Sequence, residues 1–145
     1  MPIEINELTH TYSAGSPFEQ QALDRISFTV NDGELFGIIG HTGSGKSTLA
    51  ESICGLTRIQ SGQISIDGLP LHAEYDKKQL RTKVGMVFQY VEQQLFEDTV
   101  LKDVCFGPKN QGLNEKQQEE RARWSLGLMG LEESFEQRPP IHLSG

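Results

Sequence analysis

The chain has 145 residues, of which 36% are hydrophobic and 23% are charged, and these proportions are typical of one soluble globular domain. The net charge of -7 argues against a general nucleic-acid-binding protein, whose binding surface would be basic. No apolar run approaches the roughly 20 residues that a membrane-spanning helix needs, and the N-terminus lacks the pattern of a signal peptide. We therefore expect a cytoplasmic protein in which Cys54 and Cys105 remain thiols.

Residues 2–39 carry the pattern of β structure. In one stretch, polar positions alternate with the apolar residues Ile26, Phe28 and Val30. A turn signal follows at Asn31-Asp32-Gly33, and the continuous apolar run after it is LFGII, residues 35–39. Such a run is typical of a strand buried on both faces, and we expect one here.

From Lys46 onward the apolar period is that of a helix, whose inner face consists of Leu49, Ile53 and Leu56. Further along, Ile64 and Ile66 predict a short strand that ends in a turn at Asp67-Gly68. A second strand buried on both faces is predicted for the run VGMVF, residues 84–88.

The composition changes after Gln89, and we divide the chain there. Residues 1–89 are expected to form an α/β part with the nucleotide site described below. Residues 90–97 form a polar connector rich in Gln and Glu, and residues 98–145 form a helical part.

The helical part carries two predicted helices. In the first, Val100 and Val104 form an apolar face, and we expect Gly107-Pro108 to stop the helix. The second begins with a capping box, in which Asn114 is followed three residues later by Gln117. Its apolar face is predicted to consist of Ala122, Leu126 and Met129.

A phosphate-binding signature, G-x-x-x-x-G-K-[ST], lies between the LFGII run and the helix. Its glycines let backbone N–H groups turn toward a phosphate, and the helix directs its positive end to the same place. We expect Lys46 to bridge the β- and γ-phosphates and the Ser47 hydroxyl to bind Mg²⁺. The expected nucleotide contacts come from Gly40, His41, Thr42, Gly43, Ser44, Gly45, Lys46, Ser47 and Thr48. The sequence therefore predicts a nucleoside triphosphate site.

Three further features match one family of P-loop ATPases in their order along the chain. Gln89 directly follows VGMVF, Tyr12 lies in a strand well before the P-loop, and the last residues are Leu143-Ser144-Gly145. They resemble, in that order, the Q-loop, the A-loop aromatic and the start of the LSGGQ signature of ABC-transporter ATPase subunits.

Within that family, two long stretches resemble the ATPase subunits of energy-coupling-factor (ECF) importers, including the cobalt-type systems. The stretches are YSAGSPFEQQALDRISF and FQYVEQQLFEDTVLKDVCFGPKNQGL, and the P-loop segment GIIGHTGSGKSTL is similar as well. One departure is Val91, because these proteins usually have proline there. This difference leaves the phosphate-binding residues unchanged.

The resemblance implies the α/β fold of P-loop NTPases of the ABC type, with an antiparallel β subdomain and an α-helical subdomain. It implies that Tyr12 stacks on the adenine of ATP, that Lys46 and Gln89 act in catalysis, and that Gln89 joins Ser47 at Mg²⁺. In the family, the signature reaches the nucleotide of the partner ATPase, and its residues here are Ser144 and Gly145. The alternatives, that Tyr12 is an ordinary strand aromatic and that Gln89 only ends a strand, are less favoured.

The implied function is to couple ATP binding and hydrolysis to the uptake of a vitamin or a transition-metal ion. The implied partners are a second ATPase subunit, identical or paralogous, a transmembrane coupling protein and a substrate-binding membrane protein, with no nucleic acid. The connector at residues 90–97 would contact the membrane partner at the cytoplasmic face, although a solvated loop is the simpler interpretation. The alternatives are a soluble ABC-type ATPase not linked to transport and a nucleotide-binding module that does not hydrolyse.

Two parts of the hydrolytic machinery of this family have no counterpart in the sequence: an apolar strand that ends in Asp-Glu, and a later histidine. The segment ISID, residues 64–67, resembles such a strand, but Ser65 interrupts it and Gly68 makes a turn. We therefore expect the N-terminal part of a longer ATPase, in which the acidic strand follows. On its own, this chain is expected to bind nucleotide weakly and not to turn over.

Overall fold

A four-stranded antiparallel sheet forms the first half of the molecule in the computed structural model, which describes residues 1–71, 77–131 and 133–143. The spatial order is β2-β1-β3-β4, and the strands are β1 (Ile3–Tyr12), β2 (Gln20–Val30), β3 (Ser61–Ile66) and β4 (Leu69–Leu71). Two helices lie in the same half, α1 (Lys46–Ile53) and α2 (Lys77–Lys83). The chain divides into two units, which we name the sheet unit (Met1–Val84) and the helical unit (Gly85–Gly145).

The long strands β1 and β2 are irregular in the middle. Their pairing shifts register between Ile5 and Thr11, and Glu7 and Arg25 adopt positive φ angles of 47° and 46°. Side chains of the opposite strand accept the hydrogen bonds of these two backbone N–H groups, from Glu7 to Ser27 Oγ at 2.8 Å and from Arg25 to Thr9 Oγ1 at 3.0 Å. The bulges therefore bend the sheet without leaving these two donors unpaired.

The turn between β3 and β4 is the one that the sequence predicts. Asp67 and Gly68 have φ angles of 55° and 73°, and they connect the paired residues Ile66 and Leu69. Two consecutive positive φ angles are typical of the tight hairpin turn that Asp-Gly favours. The predicted alternation in β3 is also confirmed, since Ile64 and Ile66 are 0% and 1% exposed.

The core of the sheet unit joins one face of the sheet to residues of α1 and α2. Its buried apolar members are Ile5, Leu8, Leu23, Leu49, Ile64, Ile66, Leu71 and Leu80. Helix α1 contributes Leu49, whereas Leu56, which was predicted on the same face, lies beyond the helix and is 54% exposed. The helix ends earlier because Gly55, at φ 66°, donates to Ser52 O at 3.1 Å, and Leu56 donates to Glu51 O at 2.9 Å.

The prediction of two strands buried on both faces is wrong. Residues 35–39 and 84–88 have no regular secondary structure, and their apolar side chains reach solvent, with Leu35 100%, Ile39 96% and Val87 79% exposed. A strand requires a neighbour that completes its hydrogen bonds. In residues 1–71, 77–131 and 133–143, the four strands pair only with one another, and none forms a ladder with either of these two runs.

In the helical unit, α3 (Val100–Asn110) packs against α4 (Glu115–Leu128). The buried apolar residues at this contact are Val100, Leu101, Ala122 and Leu126. The capping box of α4 is confirmed, since Asn114 Oδ1 accepts from the Gln117 N–H at 3.0 Å and Gln117 Oε1 accepts from the Asn114 N–H at 3.1 Å. Short 3₁₀ turns complete this unit at Val91–Gln94, Glu133–Phe135 and Pro140–Leu143.

Two expectations for these helices are wrong. Helix α3 continues through Gly107-Pro108 to Asn110, because proline removes only its own N–H and the last turn still closes from Gln111 N to Gly107 O at 3.2 Å. Met129 follows the end of α4 and is 76% exposed, so it does not join Ala122 and Leu126.

The two cysteines are free, as expected, and both are half-buried. Burial raises the pKa of the Cys54 thiol and of the Cys105 thiol. In the part of the chain that the structure describes, no helix combines the length and the apolar character needed to cross a membrane.

Candidate nucleotide-binding site

The loop before α1 requires glycine at several positions. Gly43 and Gly45 have φ angles of 81° and 87°, which other residues rarely adopt. A Cβ atom at Gly45 would lie 2.2 Å from the carbonyl oxygen of Ala22, and one at Gly40 would lie 2.6 Å from Ser44 Oγ. At Gly45 the loop can therefore approach β2 closely only because this residue has no side chain, whereas Gly40 makes room within the loop for Ser44.

Helix α1 begins directly after this loop with its first N–H groups available. Gly45 is the N-cap residue, no side chain of the described residues caps the helix, and its first turn holds no acidic residue. A helix start normally carries a side-chain acceptor for these donors. Free N–H groups together with the positive end of the helix dipole favour an anion at this position.

The ammonium group of Lys46 is held over the loop by neutral acceptors. Its Nζ donates to the carbonyl oxygens of Gly40 at 2.8 Å and His41 at 2.7 Å, and to Ser44 Oγ at 3.3 Å. None of these three acceptors carries a negative charge, so they hold the cation in place without neutralising it. The group is positioned to exchange these contacts for phosphate oxygens.

A cavity of about 180 Å³ joins the loop to the sheet. It is lined by Tyr12, Gln20, Ala22, Gly43, Gly45, Lys46, Ser47 and Thr48. The hydroxyl groups of Tyr12 and Thr48 share a hydrogen bond of 3.1 Å, although the two residues are 36 positions apart. The structure thus brings the aromatic residue of the predicted A-loop to the P-loop.

The Tyr12 side chain remains 42% exposed, whereas Thr48 is buried beneath it. The ring of His10 packs nearly perpendicular to that of Tyr12, with 4.6 Å between ring centroids. On the other side of the cavity, Ser47 is exposed in the first turn of α1. An aromatic face and a free hydroxyl group therefore border the same cavity as the uncapped helix start.

The remaining predicted site residues do not line this cavity, or they lie outside the described residues. His41 and Thr42 are exposed, and His41 Nδ1 contacts the Thr42 carbonyl oxygen at 2.8 Å. Gln89 is exposed in the helical unit, directly after the irregular run at residues 84–88. Ser144 and Gly145 lie outside the described residues.

Two residues that line the cavity were missed by the sequence analysis. Gln20 pairs with Tyr12 across the β1–β2 ladder, and Ala22 follows it at the next position on the same face of β2. The register between β1 and β2 could have identified Gln20 and Ala22, because a residue paired with Tyr12 must lie beside the same cavity. The seven residues between the strands gave no turn signature that would have fixed this register.

Comparison with known proteins identifies sequence relatives over the whole chain. A family model described as ABC transporter matches residues 23–145. The chain is 48% identical to the energy-coupling factor transporter ATP-binding protein EcfA2 of Clostridium acetobutylicum, over 100% of the chain and 51% of that protein. It is 49% identical to EcfA2 of Halalkalibacterium halodurans, over 90% of the chain and 48% of that protein. The chain therefore spans about half the length of the curated relatives it matches.

Solved structures similar to this chain also include an ATP-binding cassette and a component of an ABC transporter. The dimeric ATP-binding cassette MJ0796, in a post-hydrolysis state with ADP and phosphate, superposes with a TM-score of 0.83 at 29% identity, covering 98% of the chain and 63% of that structure. The cbiO1 protein of Clostridium perfringens, described as part of the ABC transporter complex cbiONQ, superposes with a TM-score of 0.79 at 34% identity. That match covers 98% of the chain and 55% of cbiO1. The predicted fold class is confirmed.

Proposed function

Because the chain belongs to the ABC transporter family, we propose that it is the nucleotide-binding part of an ECF-type ATPase subunit. In this proposal, binding and hydrolysis of ATP drive the uptake of a vitamin or a transition-metal ion through membrane partners. The observation that carries the proposal is the cavity in which Tyr12, Lys46 and the uncapped start of α1 meet. It offers separate places for a base and for phosphates.

The phosphate groups are proposed to occupy the P-loop side of the cavity. Backbone N–H groups at the start of α1 would donate to them, and Lys46 would exchange the carbonyl oxygens of Gly40 and His41 for β- and γ-phosphate oxygens. Because the loop is already shaped by its glycines, little chain ordering has to accompany binding.

The side chains present fit Mg²⁺ bound together with the nucleotide. The described residues contain no group of three or more His, Cys, Asp or Glu that could hold a metal ion by itself. Mg²⁺ prefers oxygen ligands and commonly keeps water and substrate phosphates in its shell. We propose that the hydroxyl of Ser47 would hold it, and the family resemblance implies the amide oxygen of Gln89 as a further ligand. Bound there, Mg²⁺ would neutralise charge that develops on the phosphate oxygens.

The adenine ring is proposed to stack on Tyr12. Tyr12 is 42% exposed and lines the same cavity as the P-loop residues. Stacking of a base on an aromatic side chain contributes about 1–3 kcal/mol. The Tyr12 hydroxyl is already bonded to Thr48, which leaves the ring rather than the hydroxyl as the recognition element.

The partners follow from the relatives rather than from the chain itself. The EcfA2 proteins are named as ATP-binding proteins of a transporter, and cbiO1 is described as part of a transporter complex. We propose a second ATPase subunit, a transmembrane coupling protein and a substrate-binding membrane protein, at the cytoplasmic face of the membrane. Residues 90–97 would contact the membrane component, and Ser144 and Gly145 would contact the nucleotide of the partner ATPase.

The experiment that tests the nucleotide site compares two lysine substitutions in the natural full-length protein. Lys46→Ala should weaken Mg-ATP binding by about 10-fold to 100-fold, because a charge-assisted contact to phosphate is lost. Lys116→Ala removes the same charge from an exposed position on α4 and should leave the affinity unchanged. Isothermal titration calorimetry measures both. Equal affinities for the two variants would contradict the proposed site.

The transport role needs a separate test. Purification of the protein from its native membranes under mild detergent should recover hydrophobic membrane subunits, and reconstituted vesicles should take up a substrate only with hydrolysable ATP. Recovery of the protein free of membrane subunits, with ATPase activity stimulated by nucleic acid or ribosomes, would contradict it.

A further inference from the structure

At its end near Tyr12, strand β1 pairs with a neighbouring strand on only one of its two edges. On the β2 side, Thr11 and Tyr12 pair with Gln21 and Gln20. On the β3 side, the ladder ends at the pair formed by Thr9 and Ser61. An antiparallel register would next place residue 59 opposite Thr11, but no such pair forms.

The side chain of Gln60 takes the place of that missing pair. Its Oε1 accepts from the Thr11 N–H at 2.7 Å, and its Nε2 donates to the Thr11 carbonyl oxygen at 2.8 Å. One amide side chain thus makes both hydrogen bonds that a neighbouring strand would make. These bonds fix the backbone immediately before Tyr12, in a position where the strand would otherwise have a free edge.

His10 supports the Tyr12 ring itself. Its side chain is 7% exposed, and its ring lies at 79° to the ring of Tyr12, with the centroids 4.6 Å apart. Among the described residues, His10 Nδ1 is a buried side-chain atom without a hydrogen-bond partner. A buried polar atom without a partner is unfavourable, so hydrogen bonding at this nitrogen does not explain the histidine. The contact of this side chain that bears on the site is the one between the two rings.

We propose that His10 and Gln60 are positioning residues, which hold the ring of Tyr12 in the orientation that a nucleobase requires. This inference rests on the proposed function, because it assumes that Tyr12 contacts the base. Tyr12 is then fixed by three independent contacts: its hydroxyl to Thr48, its ring to His10, and its preceding peptide to Gln60. A ring that is held before binding loses less conformational freedom when the base arrives.

The test separates base binding from phosphate binding in the natural full-length protein. Dissociation constants are measured by calorimetry for Mg-ATP and for Mg-tripolyphosphate, and their ratio reports the contribution of the nucleoside. In the wild type, ATP should bind more tightly, and Tyr12→Ala should remove most of this advantage. His10→Ala and Gln60→Ala should each reduce it by about 2-fold to 10-fold while leaving the tripolyphosphate affinity unchanged.

Conservative variants and a matched control distinguish positioning from general stability. His10→Phe keeps a ring and removes the unpaired nitrogen, so it should retain the wild-type ratio. Gln63→Ala makes the same change at an exposed position of β3 and should also retain it. In the Tyr12→Ala background, adding His10→Ala or Gln60→Ala should change nothing further, because the ring that they position is absent.

The possible failures differ from one another. If the wild type bound neither ligand, the proposed nucleotide site would be wrong, and this inference with it. If Tyr12→Ala removed the ATP advantage but His10→Ala and Gln60→Ala left it intact, the inference alone would be overturned. It would also be overturned if both substitutions weakened ATP and tripolyphosphate equally, since that is the result of a merely structural role.

Discussion

The sheet unit and the helical unit are stabilised by different interactions. Among the described residues, the sheet unit buries eight apolar side chains in one cluster, drawn from all four strands and two helices. The helical unit buries four, at a single contact between α3 and α4. Since apolar burial is the main favourable contribution to folding, the second unit has less of it to offset the entropy of ordering its chain.

In the helical unit, polar contacts add to the stabilisation that the small apolar core provides. Residues 136–138 follow the 3₁₀ turn Glu133–Phe135 and lie against the start of α3. There the Val100 N–H donates to the Arg138 carbonyl oxygen at 2.9 Å, and the Leu101 N–H donates to the Glu136 carbonyl oxygen at 3.0 Å. The carboxylate of Glu136, which is 7% exposed, accepts from Arg123 Nε at 3.1 and 3.2 Å. These bonds connect the segment to both helices.

The comparison teaches where each unit is vulnerable. A sheet core made of many interlocking apolar residues is sensitive to the loss of volume. A unit with a small core depends more on individual hydrogen bonds, because each unmade bond leaves a buried group unpaired. The substitutions below are chosen to test this difference, beginning with the largest expected effect.

The largest effect is expected from Ile64→Ala in β3. Ile64 is 0% exposed, and its removal leaves a cavity at the centre of the sheet core, so the free energy of unfolding should fall by about 3 to 4 kcal/mol. Leu69→Ala is the control, because Leu69 is 45% exposed in the neighbouring strand and should cost less than about 1 kcal/mol. Urea unfolding monitored by circular dichroism measures both, and similar losses would contradict the packing described for the sheet unit.

A smaller effect is expected from Glu136→Gln in the helical unit. The substitution keeps the shape but removes the charge of the carboxylate that accepts the bifurcated hydrogen bond of Arg123 Nε, so the free energy of unfolding should fall by about 1 to 2 kcal/mol. Glu119→Gln is the matched control, since Glu119 bonds the same arginine at 2.9 Å from an exposed position. Exposed ion pairs contribute little, and this variant should lose less than about 0.5 kcal/mol. Equal losses would mean that burial does not distinguish the two pairs.

How much of the fold could be predicted depends on how local each element is. The hairpin of β3 and β4 follows from Ile64, Ile66 and the Asp67-Gly68 turn, all within a few residues. The capping box of α4 is equally local, since Asn114 and Gln117 satisfy each other. Both were predicted correctly because the interactions that form them are encoded in adjacent sequence.

The wrong predictions concern features that local sequence does not determine. The runs at residues 35–39 and 84–88 have strand composition, but composition cannot supply the neighbouring strand that completes their hydrogen bonds. The end of α1 depends on the conformation of Gly55, which a helical period alone does not reveal. Periodicity identifies the face of an element more reliably than the residue at which it ends.

In the candidate site, too, features encoded in adjacent residues could be proposed from the sequence, whereas contacts between distant residues could not. The P-loop residues could be proposed from the sequence because the glycines, the lysine and the serine lie together in one motif. The contacts around Tyr12 could not, because Thr48 and Gln60 lie 36 and 49 positions along the chain from the residues they bond. The register of β1 with β3 brings Gln60 to Thr11, and the packing of α1 against the sheet brings Thr48 to Tyr12.

The smallest effect is expected from the ion pair of Lys83 and Asp67 in the sheet unit. The ammonium of Lys83 donates a hydrogen bond to the Asp67 carboxylate and lowers its pKa below the usual 3.8. Because the native state then binds fewer protons than the unfolded state, the stabilisation is present above about pH 4 and is lost as the pH falls through the native pKa. Both groups are partly exposed, so the contribution should be small and should weaken with salt.

Unfolding curves of the wild type and of Lys83→Met, recorded between pH 7 and pH 3, measure this contribution. The wild type should be slightly more stable at neutral pH, and this difference should narrow toward the acidic end as Asp67 becomes protonated. Arg81→Met removes a positive charge from an exposed position of the same helix, and its difference from the wild type should not change over this range. A difference for Lys83→Met that stayed constant with pH would show that the lysine acts through packing of its aliphatic chain. The sheet unit would then be stabilised by apolar contacts even at its clearest surface ion pair.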